Sequence, residues 1–545
     1  MKTSRNAFTS LLTVMAMTLA VLSGTASPAY GTPDSAKAKG GKANAYGVSE
    51  VKTETIQLVS INDFHGNILP SSSNPGIAKI AGVLDEMREL NPNTYFFASG
   101  DVFQGTAISN LTYGRSVNDA LKAMDLQASA LGNHEYDWGT DWINIWSEEG
   151  DYPFLASNIV YKANGEPVGY AQPYMIKTYT LSNGRKVDIG FIGIATPETA
   201  FKTLPANVAD VDFTDPIKAT NQWSAYLKNA KKVDAVVALT HLGGYQAKDT
   251  GAISGEVYDY AMGVSNVDLI FSAHTHQEID GKVNGIQILQ GYYNGRDLSV
   301  GQLEFNNRSS QLVGVEGYYD QIYDRIADLP VNADVAAIVE EYRAALAPIL
   351  NEVIGTNAQE LLHNTSDMNV TAMGQWAAKA LATIGDTQIA IINGGGIRAG
   401  LDAGPITMGE MYTIFPFDNT LNTLEVTGTQ LKALIDHGID SNKLTSGGFG
   451  PGQFYGINVV YDPTAPYESK VVSMALLDGT PIEPDGIYSV STLDFLVTGG
   501  DKYKFTGATN VIDTFIPVRQ ALVGYIQGLP NQTLTFTYVP NLIPQ

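Results

Sequence analysis

Ile56-Gln57-Leu58-Val59-Ser60-Ile61 runs directly into Asn62-Asp63-Phe64-His65-Gly66, an apolar β-type run that ends in a polar turn. The same pairing recurs along the next two hundred residues. Tyr95-Phe96-Phe97-Ala98 leads into Ser99-Gly100-Asp101, Ala235-Val236-Val237-Ala238-Leu239 into Thr240-His241-Leu242-Gly243, and Leu269-Ile270-Phe271 into Ala273-His274-Thr275-His276. Ile189-Gly190-Phe191-Ile192-Gly193-Ile194 is a further run of this kind, and Gly132-Asn133-His134-Glu135 a further turn. Helical stretches separate the runs, so residues 55–330 are expected to form a layered α/β domain. In such a domain, residues just past the carboxyl ends of the strands converge on one crevice.

The convergence brings together Asp63, His65, Asp101, Asn133, His241, His274 and His276. Alone, an Asp-x-His pair reads as a turn or a capped helix start, and Gly-Asn-His-Glu as a turn. Recurring in order, each after an apolar run, the turns point to metal binding. Seven nitrogen and oxygen donors exceed the needs of one tetrahedral ion. They suit two divalent metal ions, Zn²⁺, Mn²⁺ or similar, that share a bridging carboxylate.

Composition bounds the alternatives. A chain of 545 residues is too long for one hydrophobic core, and 44% hydrophobic residues with 54 Gly and 24 Pro exclude a disordered or collagen-like polymer. The absence of Cys excludes disulfides, thiolate metal sites and a Cys nucleophile. Lys and Arg number 33 against 56 Asp and Glu, a net charge of −23, which argues against nucleic-acid partners and docking on anionic membranes. A small phosphorylated substrate stays compatible, because a metal supplies positive charge locally.

Residues 1–30 read as a signal peptide: Lys2 and Arg5, an apolar run from Leu11 to Leu22, then small residues at Gly24, Ala26, Ser27 and Ala29. The run is shorter than the roughly 20 residues of a membrane span. Residues 31–54 read as a flexible linker. The expectation is an exported protein, secreted or cell-wall associated (periplasmic where the host has an outer membrane), with no membrane span after cleavage. Residues 331–355 are expected to form a connecting helix, with Val335, Ile338, Val339, Tyr342, Leu346, Ile349, Leu350 and Val353 on one face, a kink at Pro348 and a stop at Gly355. A second α/β domain then spans 356–545, with a helix over Thr371–Ile384 and a strand at Ile389-Ala390-Ile391-Ile392. Trp138, Trp142 and Trp146, spaced i, i+4, i+8, are expected on one buried helix face.

Asn62-Asp63-x-His65-Gly66, Gly100-Asp101, Gly132-Asn133-His134-Glu135, His241 and His274-x-His276 resemble the five-motif signature of the metallophosphoesterases. Gln104-Gly105 and Tyr136-Asp137 narrow the resemblance to the secreted bacterial 5'-nucleotidase family, over nearly the whole chain after residue 55. It implies a four-layer α/β/β/α N-terminal domain joined by a helix to a C-terminal α/β substrate-binding domain, with the active site at their interface. It assigns one ion to Asp63, His65, Asp101 and His276, and the other to Asp101, Asn133, His241 and His274. His134 and Asp137 match a catalytic His–Asp pair, although Asp137 alone also reads as a helix cap.

In the second half, Asn393-Gly394-Gly395-Gly396-Ile397-Arg398 matches the segment in which Asn393, Gly395 and Arg398 would contact substrate. By the same resemblance Phe417 and Phe495 would sandwich a purine and Asp501 would bind ribose hydroxyls. The implied activity converts nucleotides, as small-molecule substrates, to nucleoside and phosphate. A 2',3'-cyclic-nucleotide phosphodiesterase, a nucleotide-sugar hydrolase and a non-catalytic nucleotide-binding protein are the alternatives. Two positions depart from the family pattern: Ala273 stands where Gly is usual, and Asp367 where an Arg is usual. His363 and His437 lie away from these motifs and receive no role.

Overall fold

Apolar runs that are bounded by turns become strands when both faces can be buried, and nearly every run named above does so. The computed structural model describes residues 52–366, 368–444 and 448–545. The signal-peptide reading and Asp367 therefore lie outside the described residues. Thr53–Ile61 opens the chain's first sheet and takes in the last two residues assigned to the linker.

Two six-stranded sheets build the N-terminal half. In one, the order is Leu312–Asp320, Leu298–Asn306, Thr53–Ile61, Thr94–Ala98, Leu126–Ala130 and Phe154–Leu155. In the other it is Glu278–Val283, Ile286–Gly291, Leu269–Phe271, Ala235–His241, Lys186–Ala195 and Tyr174–Thr180. The central strands of each sheet run parallel. Between the sheets lie Ile56, Leu58, Phe97, Phe191, Val237 and Phe271, with the Phe97 and Phe191 rings stacked at 4.6 Å. Each such aromatic contributes about 1.5–3 kcal/mol by leaving water. Helices Ile77–Leu90 and Arg115–Ala123 cover the outer face of the first sheet, and Pro216–Tyr226 and Glu256–Gly263 that of the second. The four layers α/β/β/α result.

The connecting helix spans Ala333–Leu350, capped by Asn332, whose Oδ1 accepts from the Val335 N–H at 2.9 Å. Val335 and Val339 are buried, whereas Ile349 is exposed. Two details differ from expectation. Pro348 sits in the last turn, where its missing N–H forfeits one ladder bond but no further turn has to be carried past it, and the helix ends at Leu350. Val353 and Gly355 belong not to the helix but to a strand, Val353–Asn357, which pairs with Gly404–Thr407. Val353 pairs with Thr407 there, and the β-branched pair Val353-Ile354 escapes the χ1 restriction that a further helical turn would impose.

The C-terminal half holds a five-stranded sheet in the order Gly452–Tyr455, Ile389–Asn393, Ile487–Leu493, Thr420–Thr427 and Thr509–Pro517. Helix Ala372–Ile384, capped by Thr371, packs through Met373, Trp376, Ala377 and Leu381 into its core. Among the described residues no helix is long and apolar enough to cross a membrane.

Candidate active site

All seven donor residues fall at one edge of the paired sheets, and most stand in a backbone conformation that non-glycine residues avoid. Asp63, His65, Asp101, His274 and His276 have φ of 46°, 49°, 53°, 74° and 54°. Such left-handed positions persist only where the surroundings enforce them, and they concentrate at functional sites. Ala273 has no positive φ, so the strain falls on the two His residues beside it. His241 is the last residue of its strand rather than part of the turn beyond.

Three groups of side chains place their donor atoms close enough to hold a cation: Asp63, His65 and His276; Asp101, His241 and His274; and His65, Asp101 and His134. His65 Nε2 and His276 Nε2 lie 3.1 Å apart, and His241 Nε2 lies 3.1 Å from Asp101 Oδ2. His241 Nε2 and Asn133 Oδ1 are both buried without a hydrogen-bond partner. Facing imidazole nitrogens, carboxylates and an orphaned amide oxygen fit divalent cations. Burial opposes protonation of His241, and Asp101 with Asp63 overrides it, raising its pKa to about 10. Burial likewise opposes the charge on Asp101, which His241 and His134 nevertheless hold well below the usual carboxylate range.

The other ring nitrogens are fixed from behind. His65 Nδ1 meets the Gln104 carbonyl at 3.1 Å, His241 Nδ1 the Ser99 carbonyl at 2.9 Å, and His274 Nε2 the Glu198 carboxylate at 3.2 Å. Asp63 accepts from Asn62 Nδ2 at 2.8 Å and from the His274 N–H. Tyr293 stacks on His276 with ring centroids 4.9 Å apart. Glu135, fully buried, accepts the backbone N–H groups of Asp101, Val102 and Gly132 at 2.9, 2.8 and 2.6 Å. Burial and Asp101 push its carboxyl up to about 7 against those three donors. It thus clamps the turn that carries Asp101 to the turn that carries Asn133. Glu135→Gln turns an amide donor toward backbone donors, and is expected to cost about 3 kcal/mol. An unshifted chemical-denaturation midpoint would count against that clamp.

His134 Nδ1 bonds Asp137 Oδ2 at 2.7 Å, and Asp137 Oδ1 accepts from Thr203 Oγ1 at 2.9 Å. Asp137 closes the short 3-10 turn His134–Tyr136 through its backbone N–H, while its side chain caps no following helix; Thr140 holds the N-cap position before Asp141–Gly150. Burial works against a charged His134, but Asp137 and then Asp101 outweigh it and raise its pKa. Of the three tryptophans only Trp146 is fully buried, stacked on Phe103 at 4.0 Å. Trp138 precedes the helix and lines the cavity next to His134.

That cavity, about 280 Å³, joins the two halves of the chain. Asp101, Asn133, His134, Asp137, His274 and His276 line it from the N-terminal half, and Asn393, Gly395, Arg398, Phe417, Phe495 and Asp501 from the C-terminal half. Asp63, His65 and His241 stand behind this lining, all buried. Phe417 lies 5.5 Å from the His134 ring, near parallel, with Arg398 5.6 Å from its face. Asn393 Nδ2 donates to Asp501 Oδ2 at 2.7 Å, while Asn393 Oδ1 is buried and unpaired.

Several residues escaped the motif reading. Lys202 lines the cavity, donates to the Gly448 carbonyl at 2.6 Å and lies 3.8 Å from Asp501 Oδ1. With Arg398 it supplies the cationic side chains of the lining; Arg519 is instead bonded to the Phe415 carbonyl and Asp418. Gln104 also lines the cavity, with both side-chain polar atoms unpaired. His363 bonds the Gly394 carbonyl at 3.1 Å and His437 the Asp501 carbonyl at 2.8 Å, so the two histidines without a motif brace the loops of the C-terminal half.

Comparison with known proteins agrees with this geometry. Residues 56–278 match the calcineurin-like phosphoesterase model and residues 353–508 the 5'-nucleotidase C-terminal domain model. The chain is a metal-dependent phosphoesterase that joins a calcineurin-like phosphoesterase domain to a 5'-nucleotidase C-terminal domain. It is 29% identical to Endonuclease YhcR of Bacillus subtilis, over 83% of this chain and 38% of that protein, so it spans well under half of this relative's length. It is 23% identical to a 5'-nucleotidase of Vibrio vulnificus, over 85% of this chain and 88% of that one. The crystal structure of a 5'-nucleotidase precursor from Thermus thermophilus shares the fold, with a TM-score of 0.77 and 23% identity, covering 90% of this chain and 99% of that chain. The cavity is lined from both matched domains, with Asp101, His274 and His276 in the first and Asn393, Arg398 and Asp501 in the second.

Proposed function

We propose that the chain is an exported phosphoesterase that hydrolyses nucleotides to nucleoside and phosphate with two divalent metal ions. One observation carries this reading: a single cavity is lined both by the donors Asp101, Asn133, His274 and His276 and by Asn393, Phe417, Phe495 and Asp501. The 5'-nucleotidase relative supports the substrate class, and the apolar run Leu11–Leu22 supports export.

Asp63, His65, Asp101 and His276 would hold one ion, and Asp101, Asn133, His241 and His274 the other. Bound there, the ions supply Lewis-acid charge to a phosphoryl group and to an attacking water. Arg398 and Lys202 bring fixed positive charge to the anionic substrate. Lys202 does so from the N-terminal half. Phe417 and Phe495 offer aromatic faces to a base, which tolerates many bases. Asp501, with Asn393 beside it, accepts hydrogen bonds from ribose hydroxyls. His134, oriented by Asp137, stands ready to protonate the leaving oxygen.

The test is a substrate panel of AMP, 2',3'-cyclic AMP and UDP-glucose, assayed with Mn²⁺, with Zn²⁺ and with chelator. Metal-dependent turnover highest on AMP supports the proposal. Preference for the cyclic or sugar ester selects an alternative chemistry, and no hydrolysis at all a binding protein. Phe417→Ala is expected to raise KM for AMP about tenfold, since base stacking is worth roughly 1–3 kcal/mol. Hydrolysis of bis(p-nitrophenyl) phosphate, which offers no base, serves as the control that should change far less.

A further inference from the structure

Four residues past the Tyr293 that stacks on His276, a carboxyl group is buried where no hydrogen-bond donor meets it. Asp297 is 0% exposed, and neither of its oxygens has a hydrogen-bond partner. Ser299, two residues on and at the start of the strand Leu298–Asn306, has an equally orphaned hydroxyl at 1% exposure. Opposite stands Gly291, where a Cβ would come within 3.2 Å of Ser299 Oγ. An unpaired charge without donors is among the costliest things a fold can bury.

The neighbours add to the problem instead of relieving it. Burial first, then Glu278, Asp320 and Asp324, push the Asp297 carboxyl up to about 8. The nearby cations are committed elsewhere. Arg325 forms two 2.7 Å bonds with Asp320. Arg296, next in sequence, lies over the Tyr293 ring at 4.4 Å and donates to Asn74 Oδ1 and the Tyr293 hydroxyl at 2.8 Å each. Glu278 receives one donor, Gln321 Nε2 at 3.2 Å. What remains is a set of acidic oxygen atoms with too few donors between them, neutral at Asp297 only through a proton that a hard cation would replace.

We propose that Asp297 and Glu278, with the Ser299 hydroxyl, form a binding site for one divalent cation of the calcium class, separate from the seven donors of the active site. Its role follows from the segment it fastens. Residues 291–297 supply the Tyr292 carbonyl that accepts from Asn62 Nδ2 at 2.7 Å, the Asn294 N–H that donates to the Asp63 carbonyl at 2.8 Å, and the Tyr293 ring on His276. A cation that neutralises Asp297 holds this segment in register behind Asp63 and His276.

The experiment uses the full chain loaded with Zn²⁺ and freed of excess metal, so that the nitrogen-rich active site is filled before Ca²⁺ is added. Ca²⁺ at a hundredfold excess over its Kd is expected to raise the melting midpoint by about 5 °C, saturably. Tb³⁺, excited through the neighbouring tyrosines, is expected to luminesce and to be displaced by Ca²⁺. Asp297→Asn should abolish both responses while the Zn²⁺ content of the active site stays at the wild-type value. If that variant does not fold, Glu278→Gln gives the same reading. A wild type without a Ca²⁺ response, or a variant that responds as the wild type does, overturns the proposal and leaves Asp297 as a protonated acid paired with Glu278.

Discussion

Asp101→Asn is expected to lower kcat on AMP by about a thousandfold, roughly 4 kcal/mol of transition-state stabilisation. Asp101 contributes to two of the three donor groups, so its charge serves both. The substitution keeps the shape, which isolates the charge. Oδ1 of Asp101 accepts the His134 N–H at 2.8 Å, and in the variant the amide oxygen must take that place. The amide NH₂ then points where Oδ2 now stands, 3.1 Å from His241 Nε2, and turns a donor toward the cation position. Metal content by elemental analysis should fall together with kcat. A variant that retains full metal content and near wild-type kcat would remove Asp101 from the centre of the proposed chemistry.

The parts of this site legible in the sequence are those that depend on short-range pattern. Ile56–Ile61 and Ala235–Leu239 read as strands because apolar and β-branched residues dominate each run, and the turns after them carry polar residues that break it. Position at the carboxyl ends of parallel strands then follows from topology. Trp138, Val353 and Gly355 were misread for a related reason. Periodicity extends a helix across a boundary whenever hydrophobic spacing continues by chance, and only the cap or the pairing partner ends it. For Val353 that partner is Thr407, far along the chain. Lys202 and Glu198 carry no local signal either. Lys202 is an ordinary surface-type residue until Gly448 and Asp501 arrive from the other half of the chain. Glu135 was visible as part of Gly-Asn-His-Glu, but its clamp on Asp101 and Gly132 depends on two turns meeting in space. Asp297 reads in sequence as one more acidic loop residue, and only the closed packing around it exposes its lack of partners.

His134→Ala is expected to reduce kcat on AMP by about 10²- to 10⁴-fold, the range typical of a positioned general acid or base. The size of the loss should depend on the leaving group. With Nδ1 committed to Asp137 at 2.7 Å, Nε2 is the ring nitrogen left to donate a proton, and Asp137 favours the charged ring that can do so. The nucleoside alkoxide leaving from AMP needs that proton, whereas p-nitrophenolate departs without one. The variant should therefore lose far more on AMP than on p-nitrophenyl phosphate. Asp137→Asn, which keeps the ring but weakens its orientation, should lose about 10- to 100-fold on AMP with the same ordering of substrates. Equal losses on both esters would mean that His134 acts on phosphoryl charge common to the two reactions, not on the departing oxygen. Were neither ester affected, the His134–Asp137 pair would be structural, holding the Thr203 segment and the Phe417 ring in place. The two outcomes are separable because metal content and KM for p-nitrophenyl phosphate, which report on Asp101 and its neighbours, should stay at wild-type values in both variants.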